Sequence, residues 1–343
     1  MTATQTQMRR EILEIPVAAA RLLADGSADI ARAAEAMCAA QPGYMVSVAR
    51  GSSDHVATYL KYASELLTGT PIASIGPSIA SIYDRALKLE GSVCLSVSQS
   101  GKSPDIVEMA RMARASGALS IAMTNHSASP LAQVADHTLN LHAGPEISVA
   151  ATKTFVNSAV AGLWLLAEWE GDTALLAAIH DLPSALEQAV AIDWPEARDA
   201  LGARNSIFCL GRGPAYAISN EAALKFKETC QIHAESYSSA EVLHGPVSIV
   251  DGGFPVIALA SEDAAESALA QVADDFAAKG AKVFATTGQV TQAAELPVVR
   301  TGHPLTDPIA LIASFYAMVE RVAASRGINP DAPRHLKKVT ETV

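Results

Sequence analysis

Ser98-Gln99-Ser100-Gly101-Lys102-Ser103-Pro104-Asp105 follows an apolar run and leads into the apolar-periodic stretch 106–113. Hydroxyls and backbone N–H groups at such a helix start converge on one point, and the helix dipole favours an anion there. Helix capping by Ser103 and Asp105 is the plainer alternative, but a cap uses one or two such residues, and three Ser and a Gln around a Gly exceed that need. The segment is therefore read as phosphate-binding. Arg50-Gly51-Ser52-Ser53-Asp54-His55 repeats the arrangement after the first apolar strand. There Gly51 permits a tight turn and Ser52 and Ser53 offer hydroxyls to the same pocket, with a simple Ser/Asp cap again as the alternative.

A second kind of chemistry is carried by Lys225 and Glu228 in Glu221-Ala-Ala-Leu-Lys-Phe-Lys-Glu228, three residues apart and so on one helix face. An exposed ion pair is the usual fate of such spacing. The stretch His233 to Pro246 follows, rich in His and Glu and closed by Gly-Pro, with the composition of an active-site wall. It lacks the H-E-x-x-H pattern, which argues against a metal site. Gly101-Lys102-Ser103 is no phosphate-binding P-loop, because Ser96 stands where the first glycine belongs. Gly211-Arg212-Gly213 is no dinucleotide fingerprint, because Tyr216 replaces the third glycine. The C-terminal Arg334-His-Leu-Lys-Lys338 is a basic cluster that reaches a substrate only if it folds over a pocket.

The elements that position these residues come in two copies. Gly51 corresponds to Gly213, Ser98 to Ser261 and Gly117 to Gly280, and the register holds between each pair of apolar runs. Short β-branched runs alternate with helical patterns, the signature of βαβ crossovers and a parallel sheet with helices on both faces. The expected fold is α/β, two tandem flavodoxin-like three-layer domains at 1–180 and 181–343. The first holds phosphate and the second holds acid–base groups, and a helical link interrupted at Pro183 joins them. Ligands of such sheets bind beyond the C-terminal strand ends, where strand order reverses. That rule selects 50–54, 98–105 and 211–215.

Half the residues are hydrophobic and 18% charged, as in a folded, soluble protein. With 25 Lys and Arg against 36 Asp and Glu the formal charge is −11, which disfavours nucleic acid as a partner. The N-terminus lacks the apolar core of a signal peptide, and the most apolar run, 159–167, is shorter than a membrane span. Cys38, Cys94, Cys209 and Cys230 form no C-x-x-C pair and read as reduced. A cytoplasmic location away from membranes is expected.

Taken in order, the segments 8–16, Ser98-Gln-Ser-Gly, Val149-Ala-Ala-Thr-Lys153, Leu210-Gly-Arg-Gly213, Ala223 to Glu228, His233-Ala-Glu235, His244-Gly-Pro246 and the Leu-Lys-Lys tail resemble the sugar isomerase (SIS) domain family. They are most similar to its two-domain members, the isomerase half of glucosamine-6-phosphate synthase and the SIS-type glucosamine-6-phosphate deaminases. The sequence starts directly on the isomerase-type segment, so a reaction without a glutaminase is expected. Leu243 stands where the synthase has lysine. With Arg50–His55, 77–83, 236–244 and 337–342, it tilts the resemblance toward the deaminases.

The resemblance implies a phosphate cradle of Ser98, Gln99, Ser100 and Ser103 completed by Ser53, with Ser52 near the sugar hydroxyls and the backbone at Val149 lining the sugar. It implies Glu228 as the base that moves a proton between C1 and C2, with Lys225 beside it. It implies His244 for ring opening, supplied across a homodimer with shared active sites, and Lys338 near the carbonyl. An aminosugar phosphate is the implied substrate, with no metal or organic cofactor. A fructosamine-6-phosphate deglycase, a related phosphosugar isomerase and a non-catalytic sugar-phosphate sensor are the alternatives. A sensor usually carries a helix-turn-helix, and the first 45 residues offer no basic recognition face.

Overall fold

The structure, a computed structural model, describes residues 5–202 and 204–338. Helices α1 (Gln7–Leu13), α2 (Ile15–Asp25) and α3 (Ser27–Ala40) precede β1 (Met45–Val48), α4 (Ser52–Leu67), β2 (Ile72–Ser74), α5 (Ser78–Ser81), β3 (Val93–Val97), α6 (Pro104–Ala115), β4 (Leu119–Thr124), α7 (Pro130–Val134) and β5 (His137–Asn140). Three helices follow: α8 (Lys153–Glu170), α9 (Thr173–Ala189) and α10 (Pro195–Leu201). Then come β6 (Ser206–Gly211), α11 (Pro214–Cys230), β7 (His233–Ser238), β8 (Pro255–Ala258), α12 (Glu266–Ala278), β9 (Lys282–Ala285), β10 (Ala294–Glu295) and α13 (Asp307–Ser325).

Among the described residues these strands make two five-stranded sheets, ordered β2-β1-β3-β4-β5 and β10-β9-β8-β6-β7, with every pairing parallel. Counted from its own first strand, each sheet has the order 2-1-3-4-5, which reverses between the first and third strands. The strands read as continuous apolar runs because both faces are covered; β1 and β3 are buried at every position. In the first sheet Val46, Val48 and Cys94 pack under Ile106, Met109 and Ala110 of α6. In the second, Phe208, Val256 and Val283 pack under Leu269, Ala273 and Phe276 of α12. Each fully buried side chain of this size contributes about 1.5–3 kcal/mol.

The repeat is visible in the backbone. Gly51 and Gly213 open α4 and α11 with φ/ψ of 57°/−132° and 56°/−137°, a conformation open only to glycine. The fold is therefore the expected α/β type.

Two compact units are present, and neither is a continuous stretch. The first comprises 17–146, 153–180 and 337–338; the second comprises 5–16, 147–152, 181–202 and 204–336. This departs from a division at 1–180 and 181–343, and hydrogen bonds give the reason. Glu11 of α1 accepts from the backbone N–H groups of Ile147 and Ser148, and Asp331 accepts those of Gln7 and Met8 at 2.7 Å each. Three further expectations differ. Helix α9 runs through Pro183, because Leu175, Ile179, Leu182 and Leu186 are buried along one side. His233–Ser238 is an edge strand rather than a loop. Helix α13 has the length and apolarity to cross a membrane, yet 83% of that window is buried, as in a core helix.

Candidate active site

In the first unit the strand order reverses between β1 and β3, and the loops leaving these strands start α4 and α6. Ser52 and Ser53 form the first turn of α4; Ser98, Gln99, Ser100 and Ser103 lie between β3 and α6. The structure thus brings these six residues to the N-termini of two helices of 16 and 12 residues. The carbonyls of the second loop are spent on the fold. Gln99 O accepts from the backbone N–H of Asn125 at 3.1 Å and from Thr124 Oγ1 at 3.2 Å, and Gly101 O accepts from Leu131 N at 3.0 Å. Gly101 has φ +61°, and a Cβ there would lie 2.1 Å from Ser129 Oγ, so only glycine lets the loop pack this closely.

Ser103 is the N-cap of α6 but makes no side-chain capping bond. Asp105, fully buried, is held by Arg50 Nε and Nη2, each at 2.7 Å. Ser103 therefore does not cap this helix through its side chain, whereas Asp105 accepts the backbone N–H of Ile106 at 2.9 Å as well as the Arg50 guanidinium. The Arg50–Asp105 pair ties the two loops together, and sequence reasoning did not assign it. In the second unit an arginine network lies instead beyond the C-terminal ends of β8 and β9. Arg300 bonds Asp307, Glu266 and the carbonyls of Ala260 and Thr286 there. Burial pushes the Asp263 carboxyl up from its usual value.

Lys225 and Glu228 belong to the second unit, on the last turns of α11. Counted at 1.5 Å per residue, Glu228 lies about 20 Å from the strand-end N-terminus of this helix. The pair therefore sits where β6 and β7 begin, at the other end of the helix from 211–215. Nor is it an exposed ion pair. Lys225 Nζ is 2.7 Å from Glu228 Oε2 and 3.0 Å from Glu221 Oε1, with Lys225 and Glu221 side chains fully buried and Glu228 20% exposed. Burial by itself would push the Lys225 ammonium down, but Glu221 and Glu228 outweigh it and the net shift is upward. Tyr316 of α13 donates to Glu221 at 3.0 Å.

His244 is exposed in the 3₁₀ turn Glu241–His244, beyond the C-terminal end of β7. That is the sheet end away from Glu228. Val149 is half-buried in the second unit, beside the Glu11-held Ser148. Lys338 belongs to the first unit, where its Nζ lies 3.0 Å from the buried Glu146 Oε2. Residues 339–343, part of the tail match, lie outside the described residues. Glu11, Glu146, Glu221 and Tyr316 went unassigned in the sequence. The i, i+4 spacing of Glu221 and Lys225 was a readable signal, whereas the other three depend on long-range packing.

Among the described residues no three His, Cys, Asp or Glu side chains gather as a metal site. A cleft of about 390 Å³ in the first unit is lined by Arg21, Asn125, His126, Asn140 and His142 among others, and contains none of the expected site residues.

Residues 40–168 and 201–324 match the SIS domain. The chain belongs to the SIS domain family. This SIS protein is 35% identical, over 85% of its length, to glutamine–fructose-6-phosphate aminotransferase [isomerizing] of Symbiobacterium thermophilum, covering 50% of that protein. It is 33% identical over 96% of its length to the enzyme of the same name from Aeropyrum pernix, covering 56%. The chain thus spans about half the length of these curated relatives. Among solved structures, a protein from Silicibacter pomeroyi assigned to the phosphosugar isomerases matches at 64% identity and TM-score 0.93, over 95% of this chain and all of that one. The C-terminal domain of glucosamine-fructose-6-phosphate aminotransferase from Francisella tularensis matches at 25% identity and TM-score 0.83, over 96% and 99%. Glucosamine-6-phosphate deaminase from Thermotoga maritima, at 17% identity and TM-score 0.79 over 98% and 100%, shares the fold.

Proposed function

We propose that this SIS protein is a glucosamine-6-phosphate deaminase, converting glucosamine 6-phosphate and water to fructose 6-phosphate and ammonia. The substrate phosphate binds Ser53, Ser98, Gln99, Ser100 and Ser103 at the two helix N-termini, where hydroxyls and the helix dipoles favour an anion. Ser52 and the backbone at Val149 orient the sugar. His244, contributed across a homodimer, assists ring opening. Glu228 then takes the proton from C2 and returns it to C1 while a proton passes from the amine nitrogen to the C1 oxygen, leaving a ketimine at C2; water adds there and ammonia leaves. Lys338 approaches the C1 oxygen, and Lys225 holds Glu228. The proposed reaction uses no metal or organic cofactor, and the proposed enzyme is cytoplasmic and binds neither nucleic acid nor membrane.

The observation that carries this reading is the Glu228 carboxylate, 20% exposed yet bonded at 2.7 Å to a fully buried ammonium. That is a fixed group able to meet a substrate proton, whereas an ion pair serving only stability has no need of a buried lysine. The relatives' name, an isomerising aminotransferase of fructose 6-phosphate, supports a second reading with the same acid–base step: a fructosamine-6-phosphate deglycase or related isomerase. Incubation with glucosamine 6-phosphate, fructosamine 6-phosphate and fructose 6-phosphate, with ammonia and product sugars measured, separates the readings. Ammonia release from glucosamine 6-phosphate is expected, reduced about 10²–10⁴-fold in Glu228→Gln. Saturable binding without turnover of any of the three would replace the enzyme by a sensor.

A further inference from the structure

The buried cluster on α11 holds one carboxylate more than an ion pair requires. Lys225 is fully buried and meets two carboxylates, Glu228 at 2.7 Å and Glu221 at 3.0 Å. The two differ in what else they can reach. Glu221 is fully buried and accepts a hydrogen bond from Tyr316 at 3.0 Å, whereas Glu228 is 20% exposed. In the reading above, on which this inference rests, Glu228 becomes neutral each time it takes the substrate proton. If it were the sole counter-ion, every turnover would leave a charged ammonium uncompensated in the interior, which proteins tolerate poorly.

We infer that Glu221 is a positioning residue: it is the standing counter-ion of Lys225, so that Glu228 alternates between charged and neutral forms without stranding the ammonium. Spacings of four and three residues on one helix place both carboxylates on the face of Lys225. Tyr316 fixes Glu221 from α13. The other titratable groups on elements packed against α11 are Asp307, Glu320 and Arg321 on α13, His233, Glu235 and Tyr237 on β7, and Cys209 on β6; Asp307 pairs with Arg300 and Arg321 with Asp193. Of these, Glu320 accepts from Thr6 and Glu235 from Tyr237. On α11 itself Lys227 is exposed. The upward shift of Lys225 agrees with an ammonium that keeps an anion beside it.

The test follows the Glu228 carboxyl carbon by NMR across pH in the wild type, Glu221→Gln and Glu221→Asp, with the signal assigned through Glu228→Gln. The two carboxylates each lie within 3.0 Å of Nζ, so the charge removed is within about 6 Å of Glu228. At an effective dielectric constant of about 20, its loss moves the Glu228 transition to lower pH by about one unit or more. Glu221→Asp returns it toward the wild-type position. With glucosamine 6-phosphate, kcat of Glu221→Gln falls about 10- to 100-fold, KM changes less than about twofold, and the acid limb of kcat moves down with the NMR transition.

If Glu221→Gln does not fold, Tyr316→Phe is measured instead; it releases Glu221 from its second partner, lowers kcat a few-fold and moves the acid limb. The inference is overturned if Glu228 titrates in Glu221→Gln as in the wild type, or if Tyr316→Phe, used in its place, leaves the profile unmoved. Absence of turnover by the wild type would remove the functional reading instead, and the NMR transition would still decide the role of Glu221.

Discussion

Replacing Gly101 by alanine tests the phosphate loop most directly. Two costs can be worked out. The positive φ of +61° strains any residue with a Cβ, at about 1–2 kcal/mol. The new carbon would also lie 2.1 Å from Ser129 Oγ, 2.6 Å from Ser129 Cβ and 2.9 Å from Thr124 Oγ1, an overpacking worth about 1–3 kcal/mol. Together they predict a loss of about 2–5 kcal/mol in denaturant unfolding. Relief of the clash displaces the loop from Ser129, and with it the hydroxyls of Ser98 and Ser100. Losing one or two charge-assisted hydrogen bonds to phosphate, each about 1.5–3 kcal/mol, raises KM at least tenfold with a smaller effect on kcat. The double variant Gly101→Ala/Ser129→Gly removes the two nearest clashing atoms, leaving Thr124 Oγ1 to give way slightly, and glycine is tolerated at the N-cap position that Ser129 holds in α7. It should recover about 1–3 kcal/mol and much of the KM. A Gly101→Ala protein with wild-type stability and KM, or a double variant with no recovery, would refute the reasoning.

Two other perturbations have signed outcomes. Glu146→Gln removes the anion from Lys338, which is 25% exposed at its side chain. After discounting for solvent screening a loss of about 1–2 kcal/mol in unfolding is expected, with faster tryptic cleavage after Lys337 and Lys338. Asp274 accepts backbone N–H groups of Ala293, Gln292 and Thr291, which hold its carboxyl well below the usual carboxylate range. A depressed folded-state value contributes stability above the unfolded value and loses it as pH falls through the folded one. Asp274→Asn should therefore lower Tm at pH 7, with the gap to wild type narrowing as pH drops below about 4.

The parallel sheets were legible because strands buried on both faces leave an unbroken apolar signal. The glycines at 51 and 213 marked the same turn twice. The Ser loops were legible for a related reason: strand, loop and helix start are contiguous, so sequence order and spatial order agree. The charged partners were not. Arg50 and Asp105 are joined across two separate loops, and Tyr316 reaches Glu221 from a helix far along the chain. Nothing local marks such pairs, because the arrangement that brings them together is tertiary. Periodicity put Lys225 and Glu228 on one face correctly, but it could not tell how deeply that face is buried.

The strap 147–152 shows what the interleaved units mean for inheritance of function. Its carboxylate anchor, Glu11, lies near one end of the chain, and the segment that Asp331 fastens to α1 lies near the other. The half that carries Glu228 is therefore assembled from both extremities and the middle of the polypeptide. A cut at residue 180 would separate 5–16 and 147–152 from the rest of the unit they belong to.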